Sequence, residues 1–178
     1  MAEEMKEVEK RQGRQLISIL VPCYNEEAVL REFYRRTAAV IDGIPQYDFQ
    51  FMFVNDGSKD GTLAIMRELH EKDSRVSYVN LSRNFGKEIA MTAGIDYLTG
   101  DAAIIMDADL QDPPELIPEM ISWWEQGYQD VSAKRRSVPG KPFSRSGRLM
   151  PFIRSSRNFP MRPCSATSVI FASSIVSA

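Results

Sequence analysis

Hydrophobic positions along the chain follow two alternating periods. A short aliphatic and β-branched run, LISILV at residues 16–21, precedes a stretch in which Leu30, Phe33, Thr37 and Val40 recur at helical spacing. A continuous run of this kind is typical of a strand buried on both faces of a parallel sheet. The second spacing places its apolar side chains on one face of a helix. The first unit is therefore predicted to be a strand followed by a helix.

The same unit recurs three times further along the chain. Apolar strands are predicted at residues 49–55, 76–81 and 102–109, each followed by a segment predicted to be a helix. Asn25 and Asp60 are expected to cap the first two helices, because their side-chain oxygens can accept hydrogen bonds from unpaired backbone N–H groups. This alternation predicts an α/β fold, a Rossmann-like, mostly parallel sheet with helices on both faces. Ligands of such sheets bind beyond the carboxyl ends of the strands, so polar residues there are candidate site residues.

Three segments of different character are predicted. Residues 1–15 carry charges of both signs and are interpreted as a solvated N-terminal arm, and residues 16–137 hold the α/β domain. Residues 138–178 contain no Asp or Glu but keep many basic side chains, with frequent serine and proline and no clear helical or strand period. We interpret this atypical basic tail as disordered or as the product of a shifted reading frame. The alternative is a membrane-surface segment with aromatic residues among arginines.

Charge and cysteine content argue against several classes of protein. The formal net charge of −2 argues against a nucleic-acid-binding protein. Cys23 and Cys164 are too few and too far apart for a disulfide framework or a four-ligand zinc site, and they fit a reducing cytoplasm. No run of about 18 apolar residues is present, so any membrane contact is expected to be peripheral. His70, the only histidine, lies in a charged stretch, which argues against Ser-His and Cys-His catalysis.

The sharpest chemical feature is the pair Asp107 and Asp109 at the end of the fourth predicted strand. In an extended chain, residues i and i+2 point to the same side, so both carboxylates can face one site. Two neighbouring carboxylates repel unless a cation or proton lies between them, and a hard divalent ion such as Mg²⁺ or Mn²⁺ accepts such oxygen ligands. The alternative is structural, with Asp107 ending the strand and Asp109 capping a turn.

Other strand ends and one helix start carry further candidates. In VNDGSKDGT, Asp56 can accept hydrogen bonds from a base or ribose, whereas a turn and helix cap would account for the glycines and Ser58. In VPCYNEE, Tyr24 either lines a base pocket or packs over the sheet edge. In SRNFGK, Arg83 and Lys87 either approach a phosphate or are solvated charges. Each segment alone is compatible with a ligand site and with a structural turn.

In their order along the chain, VPCYNEE, VNDGSKDGT and the segment around Asp107 resemble the motifs of family 2 glycosyltransferases of GT-A type. The likeness covers about residues 16–136 and is greatest to bactoprenol glucosyltransferases and dolichyl-phosphate mannose synthases. It implies that Asp107 and Asp109 are catalytic and, with Gln111, hold Mg²⁺ or Mn²⁺ beside a diphosphate. It also implies a set of contacts to the nucleotide sugar by Pro22, Tyr24, Glu26, Val54, Asp56, Ala108 and Arg135.

The activity that this resemblance implies is transfer of a sugar from a UDP- or GDP-sugar to a polyprenyl phosphate, undecaprenyl or dolichyl, with inversion at the anomeric carbon. The divalent ion would stabilise charge on the departing nucleoside diphosphate. Longer relatives act at the cytoplasmic face of a membrane and continue into acceptor-binding segments, so the C-terminal part is expected to be missing or out of frame.

Two other functions stay open, and a third is disfavoured. The first is a catalytically incomplete fragment that binds a nucleotide sugar without transferring it. The second is a D-x-D phosphatase with Asp107 as its nucleophile and Asp109 as its acid. A dinucleotide dehydrogenase is disfavoured because the first strand is followed by PCYNEE rather than by a G-x-G-x-x-G phosphate loop.

Overall fold

The computed structural model describes residues 13–128, Val131 and the backbone of the strand Ser168–Phe171. The strands are β1 Leu16–Cys23, β2 Asp48–Asn55, β3 Val76–Asn80, β4 Ala102–Ile105 and β5 Ser168–Phe171. The α-helices are α1 Leu30–Ile41, α2 Thr62–Lys72, α3 Lys87–Asp96 and α4 Ile117–Glu125, the last preceded by the 3₁₀ turn Pro114–Leu116. Strands and helices alternate from β1 to α4, as the hydrophobic periods predict.

The strands form one parallel sheet in the order β3-β2-β1-β4-β5. The chain moves outward from β1 through β2 to β3 and then returns to place β4 on the other side of β1. A reversal of this kind opens a crevice at the carboxyl ends of the two strands where the direction changes. The predicted parallel α/β architecture is confirmed, and its crevice lies between β1 and β4.

Two apolar layers cover the two faces of the sheet. Ile17, Ile19 and Val21 of β1 belong to one layer, which α1, α2 and α4 complete. Leu20 belongs to the other layer, beneath α3. This division follows from the alternation of side chains along a strand, and it explains why β1 is apolar at nearly every position. Gly94 lets α3 approach closely, since an added Cβ there would lie 2.3 Å from the Leu20 Cδ1 atom.

Two boundaries that bear on the site differ from the predictions. The first helix begins at Leu30 rather than directly after Asn25, which has a φ of 57° and is not a helix cap. β4 ends at Ile105, so Asp107 and Asp109 lie in a turn beyond the strand rather than in extended chain. Local periodicity fails at both places because the backbone there is shaped by contacts with other segments or by a turn.

The predicted segments at the two ends fall largely outside the described residues. This holds for most of the N-terminal arm, for the boundary near residue 137 and for most of the basic tail. Within that tail, however, β5 pairs in parallel with β4, with Ser168 opposite Ala102. Part of a segment without a clear strand period thus joins the sheet. None of the helices that the structure describes is long and apolar enough to cross a membrane.

Candidate functional site

A cleft of about 300 Å³ opens at the carboxyl ends of β1, β2 and β4. The segments that follow these three strands contribute to it, together with the loop before α3 and the first turn of that helix. Its lining consists of Pro22, Cys23, Tyr24, Glu26, Asp56, Asn84, Gly86, Lys87, Ala90, Asp107, Ala108 and Asp109. The cleft therefore lies where the reversal of the sheet predicts a ligand site.

Hydrogen bonds join the segment after β1 to the segment after β2. The Asn25 N–H donates to the Ser58 Oγ at 3.0 Å, and the Asn25 Oδ1 accepts from the Lys59 N–H at 2.8 Å. These contacts explain why Asn25 adopts a left-handed conformation instead of capping α1. They also fix the backbone from which Tyr24 and Glu26 reach the cleft.

A second group of contacts ties the start of α2 to the same segment. Gly61, and not the predicted Asp60, is the N-cap of α2, but the Asp60 Oδ1 accepts a hydrogen bond from the Thr62 N–H at 3.0 Å. The Asp60 Oδ2 accepts from the Glu27 N–H at 3.1 Å, and the Thr62 hydroxyl accepts from the Glu26 N–H at 2.8 Å. The polar residues around Asp60 thus have a structural role between the two loops.

Asp56 is buried at the end of β2 and anchors the loop before α3. Its Oδ1 accepts a hydrogen bond from the Phe85 N–H at 2.7 Å, and its Oδ2 accepts one from the Gly86 N–H at 2.9 Å. A carboxylate that is only 3% exposed needs such partners, because burying an unpaired charge is costly. Gly57 lies against the same loop, where an added Cβ would be 2.3 Å from the Arg83 carbonyl carbon. Asp56 therefore holds a wall of the cleft in place.

Asp107 and Asp109 lie in one turn, and both line the cleft. The turn passes through Leu110 in a left-handed conformation with φ of 58°, and the Asp109 Oδ1 accepts the Gln111 N–H at 2.9 Å. Their common direction is thus a property of this turn and not of alternation along a strand. The Lys87 Nζ lies 2.7 Å from the Asp107 Oδ1 and 2.8 Å from its Oδ2.

Negative charge is concentrated in the cleft. Burial, and then the neighbouring Asp109 and Asp107, raise the pKa of the Glu26 carboxyl above its ordinary value. Burial, followed by Glu26 and Asp107, raises the pKa of the Cys23 thiol well above its ordinary value. Cys23 is therefore protonated at neutral pH and is not a thiolate nucleophile. Asp109 and Asp107 thus disfavour the ionised form of Glu26, and a cation bound near these side chains would relieve this repulsion.

The donor set fits a hard divalent cation. Mg²⁺ and Mn²⁺ prefer carboxylate oxygens, and Mg²⁺ commonly binds to one or two carboxylates plus water and substrate phosphates. A cationic group, the Lys87 ammonium, already lies against Asp107. Over residues 13–128 and Val131, no three His, Cys, Asp or Glu side chains are grouped as a complete metal cage. A divalent ion in this cleft would therefore need ligands beyond the side chains grouped there, such as water or a phosphate.

Most of the predicted site residues line this cleft, namely Pro22, Tyr24, Glu26, Asp56, Asp107, Ala108 and Asp109. Val54 does not, because its side chain is fully buried beneath α3 beside Leu20 and belongs to the core. Gln111 does not line the cleft either, and it donates its backbone N–H to Asp109. Arg135 lies outside the described residues.

Four lining residues were not predicted from the sequence as site residues: Cys23, Asn84, Gly86 and Ala90. Asn84 and Gly86 reach the cleft because their loop is bound to Asp56, a contact across 30 residues that no local pattern reports. A signal was nevertheless present in the dipeptide Gly86-Lys87. Glycine tolerates the φ of 96° that this turn requires, directly before a helix that begins with a cation.

Comparisons with known proteins agree on one family. Over 137 residues the chain is 48% identical to the uncharacterized glycosyltransferase YkcC of Bacillus subtilis (strain 168), covering 77% of this chain and 42% of that protein. Over 127 residues it is 45% identical to the bactoprenol glucosyl transferase of Shigella phage SfX, covering 70% of this chain and 41% of that protein. The chain thus spans about two fifths of the length of these relatives.

A solved structure supports the fold. The mannosyltransferase PcManGT from Pyrobaculum calidifontis, in complex with GDP-Man and Mn²⁺, matches with a TM-score of 0.59 at 21% sequence identity. The match covers 69% of this chain and 36% of that chain, and it confirms the GT-A fold. The model of the family described as "Glycosyl transferase family 2" matches residues 18–177, most of the sequence. From this match and the GT-A fold, the chain belongs to glycosyl transferase family 2.

Proposed function

We propose that this chain binds a nucleoside-diphosphate sugar in the cleft and transfers the sugar to a polyprenyl phosphate, with inversion at the anomeric carbon and assistance from a divalent cation. The proposal rests on one observation. A single cleft at one edge of the parallel sheet is lined by Tyr24, Asp56, Asp107 and Asp109. Had the two aspartates faced opposite sides of the sheet, no common diphosphate site would exist. Membership of glycosyl transferase family 2 supports the same class of reaction.

The groups at the ends of β1 and β2 suit the nucleoside half of the donor. Tyr24 is 41% exposed, so part of its ring is accessible to a planar base. A carboxylate can accept about four hydrogen bonds. Asp56 accepts two of them from the loop before α3. Hydrogen bonds from a base or ribose can therefore be added without displacing the loop. Uridine and guanosine are both candidate nucleosides.

The turn after β4 suits the diphosphate half. Asp107 and Asp109 would hold Mg²⁺ or Mn²⁺, with Gln111 as a proposed additional ligand from the same turn. When bound, the cation would supply Lewis-acid stabilisation of the charge on the departing nucleoside diphosphate. The chain itself keeps both carboxylates on one short turn beside the nucleoside site, so the diphosphate is oriented before the sugar leaves. Ala108 adds little bulk between them, and Arg135 is a further proposed diphosphate ligand.

The acceptor is proposed from the relative in Shigella phage SfX, which is named bactoprenol glucosyl transferase. A lipid phosphate has a second pKa near 6, so it is largely dianionic at neutral pH and can attack the sugar without a strong general base. We propose that the reaction takes place at the cytoplasmic face of a membrane, through a peripheral contact.

A transfer assay tests this proposal. The chain is incubated with radiolabelled UDP-glucose or GDP-mannose, Mn²⁺ and undecaprenyl phosphate in detergent, and label in the lipid fraction is measured. We expect transfer from one of the two donors and none with Asp109→Asn. Donor binding without transfer would support a nucleotide-sugar-binding fragment instead. Phosphate release from a simple ester would revive the phosphatase interpretation, and the absence of both binding and transfer would overturn the proposal.

A further inference from the structure

We infer that Lys87 is a partner-switching cation, which neutralises Asp107 in the ligand-free cleft and turns to a donor phosphate once a divalent ion has taken Asp107. This inference rests on the proposed function of the cleft, and it assigns to Lys87 a role in coupling the binding of the metal ion to that of the donor.

The ion pair between Lys87 and Asp107 occupies the oxygens that a metal would need. The Lys87 Nζ lies within 2.8 Å of both carboxylate oxygens of Asp107, so neither is left without a cationic neighbour. The two side chains are 40% and 25% exposed. The pair can therefore open without any change in the core, and its partners are within reach of water and ligand.

The position of Lys87 is set by the buried end of β2. Its neighbour Gly86 donates a backbone hydrogen bond to Asp56, so the start of α3 is held beside the turn that carries Asp107. A cation in the first turn of a helix is unfavourable, because the helix dipole presents positive charge there. Negative charge in the cleft compensates for this; Asp107 supplies it in the structure, and the phosphates of a donor would supply it in the proposed complex.

Arg83, the other cation of the SRNFGK segment, is placed differently. Its guanidinium carbon lies 4.8 Å from the centre of the Phe85 ring, and Arg83 does not line the cleft. Lys87 is therefore the cation that this segment contributes to the site. Its ammonium group is a compact point charge on a flexible stem, which suits an exchange between two anionic partners.

Opposite effects on two binding reactions follow from this geometry. A divalent ion that binds alone must displace Lys87 from Asp107, so Lys87 weakens binding of the ion alone. A diphosphate that arrives with the ion offers new acceptors to the displaced ammonium, so Lys87 strengthens binding of the nucleotide. An ordinary surface ion pair would produce the first effect without the second.

The experiment measures binding of Mn²⁺ alone by electron paramagnetic resonance, and binding of UDP and GDP in saturating Mn²⁺ by calorimetry. For Lys87→Met we expect Mn²⁺ alone to bind about fivefold more tightly. We expect the preferred nucleotide to bind about tenfold more weakly. Lys87→Arg keeps the positive charge, so we expect it to bind Mn²⁺ alone and the nucleotide much as the wild type does. Lys72→Met, which removes an exposed lysine paired with Glu68 outside the cleft lining, should change neither constant by more than about twofold.

The outcomes separate this inference from the proposed function. Wild-type chain that binds neither Mn²⁺ nor a nucleotide overturns both. The partner switch alone is overturned if the wild type binds both ligands but Lys87→Met binds Mn²⁺ as tightly as the wild type does. It is also overturned if Lys87→Met binds both Mn²⁺ and the nucleotide more weakly. Thermal unfolding of each variant confirms that it is folded, and Lys87→Gln, which also removes the charge, takes the place of Lys87→Met if Lys87→Met does not fold.

Discussion

The Asp56 carboxylate accepts the backbone N–H of Phe85 at 2.7 Å, which ties the end of β2 to the loop that leads into α3. The other oxygen of Asp56 accepts the Gly86 N–H, so the course of this loop depends on one buried side chain. Lys87 follows directly and meets Asp107. A residue predicted as a nucleotide ligand thus also determines where positive charge enters the cleft.

Replacing Asp56 with Asn should destabilise the fold. The amide keeps one oxygen acceptor but places an NH₂ donor against a backbone N–H, in a position that is almost fully buried. We expect the free energy of unfolding to fall by about 2 kcal/mol, measured by urea denaturation. Asp96→Asn, at an exposed position of α3, should change it by less than about 0.5 kcal/mol. Equal losses of stability in the two variants would show that the hydrogen bonds of Asp56 to the loop before α3 do not stabilise the fold.

Gly57 offers a test of close packing between two loops. Gly57→Ala introduces a Cβ at 2.3 Å from the Arg83 carbonyl carbon and a side chain at a φ of 64°. We expect a loss of about 3 kcal/mol or more in the free energy of unfolding, from backbone strain and overpacking together. Gly127→Ala is the matched control, because its φ of 90° is also positive but nothing lies within 4 Å of the added Cβ. For Gly127→Ala we expect only the cost of backbone strain, about 1 kcal/mol of the free energy of unfolding. An equal loss for Gly57→Ala would show that close packing against Arg83 adds no further cost.

The raised pKa of Glu26 predicts a pH-dependent contribution to stability. In the unfolded chain this carboxyl titrates near its ordinary value of 4.5, and in the folded chain burial, Asp109 and Asp107 raise its pKa. The folded chain therefore holds the proton more tightly, and stability is lost as pH rises through the folded pKa. Glu26→Gln should be more stable than the wild type at pH about 7.5, with the difference vanishing below the unfolded pKa. The urea concentration at the midpoint of unfolding, measured for both proteins between these two pH conditions, tests this difference.

The pKa of Glu68 is shifted in the opposite direction, so its contribution to stability should have the opposite pH dependence. Hydrogen bonds from Arg31 and Lys72 lower its pKa to about 2. Its contribution is present above the unfolded pKa and is lost as pH falls through the folded value. Glu68→Gln should therefore be less stable than the wild type at neutral pH, by a small amount because the pair is exposed. A pH dependence of the same sign for both variants would contradict the assigned causes.

Much of the architecture followed from the sequence because burial imposes a period. The aliphatic runs at β1 and β4 and the helical spacing of Leu30, Phe33 and Thr37 each report which side of an element meets the core. Once the strands are parallel, their carboxyl ends share one edge. The sequence alone therefore predicts that Tyr24 and Asp56 approach Asp107.

The remaining features depend on contacts between distant segments. Asn25 has the residue type of a cap, yet its side chain bonds to the Lys59 backbone, which lies 34 positions away. The common direction of Asp107 and Asp109 comes from a turn through a left-handed Leu110, whereas extended chain was expected. Val54 was assigned by resemblance alone; its side chain is buried in the core, and its contact to the nucleotide stays a prediction.

The proposed function requires that Asp107 and Asp109 jointly hold a divalent ion against a diphosphate. Calorimetric titration of UDP and GDP, with and without Mn²⁺, measures this in wild-type chain and in Asp109→Asn, with Glu119→Gln as an exposed control outside the cleft lining. We predict Mn²⁺-dependent binding of one nucleotide by wild type and Glu119→Gln, and its loss by at least about tenfold in Asp109→Asn. Unchanged Mn²⁺-dependent binding in Asp109→Asn would contradict the account.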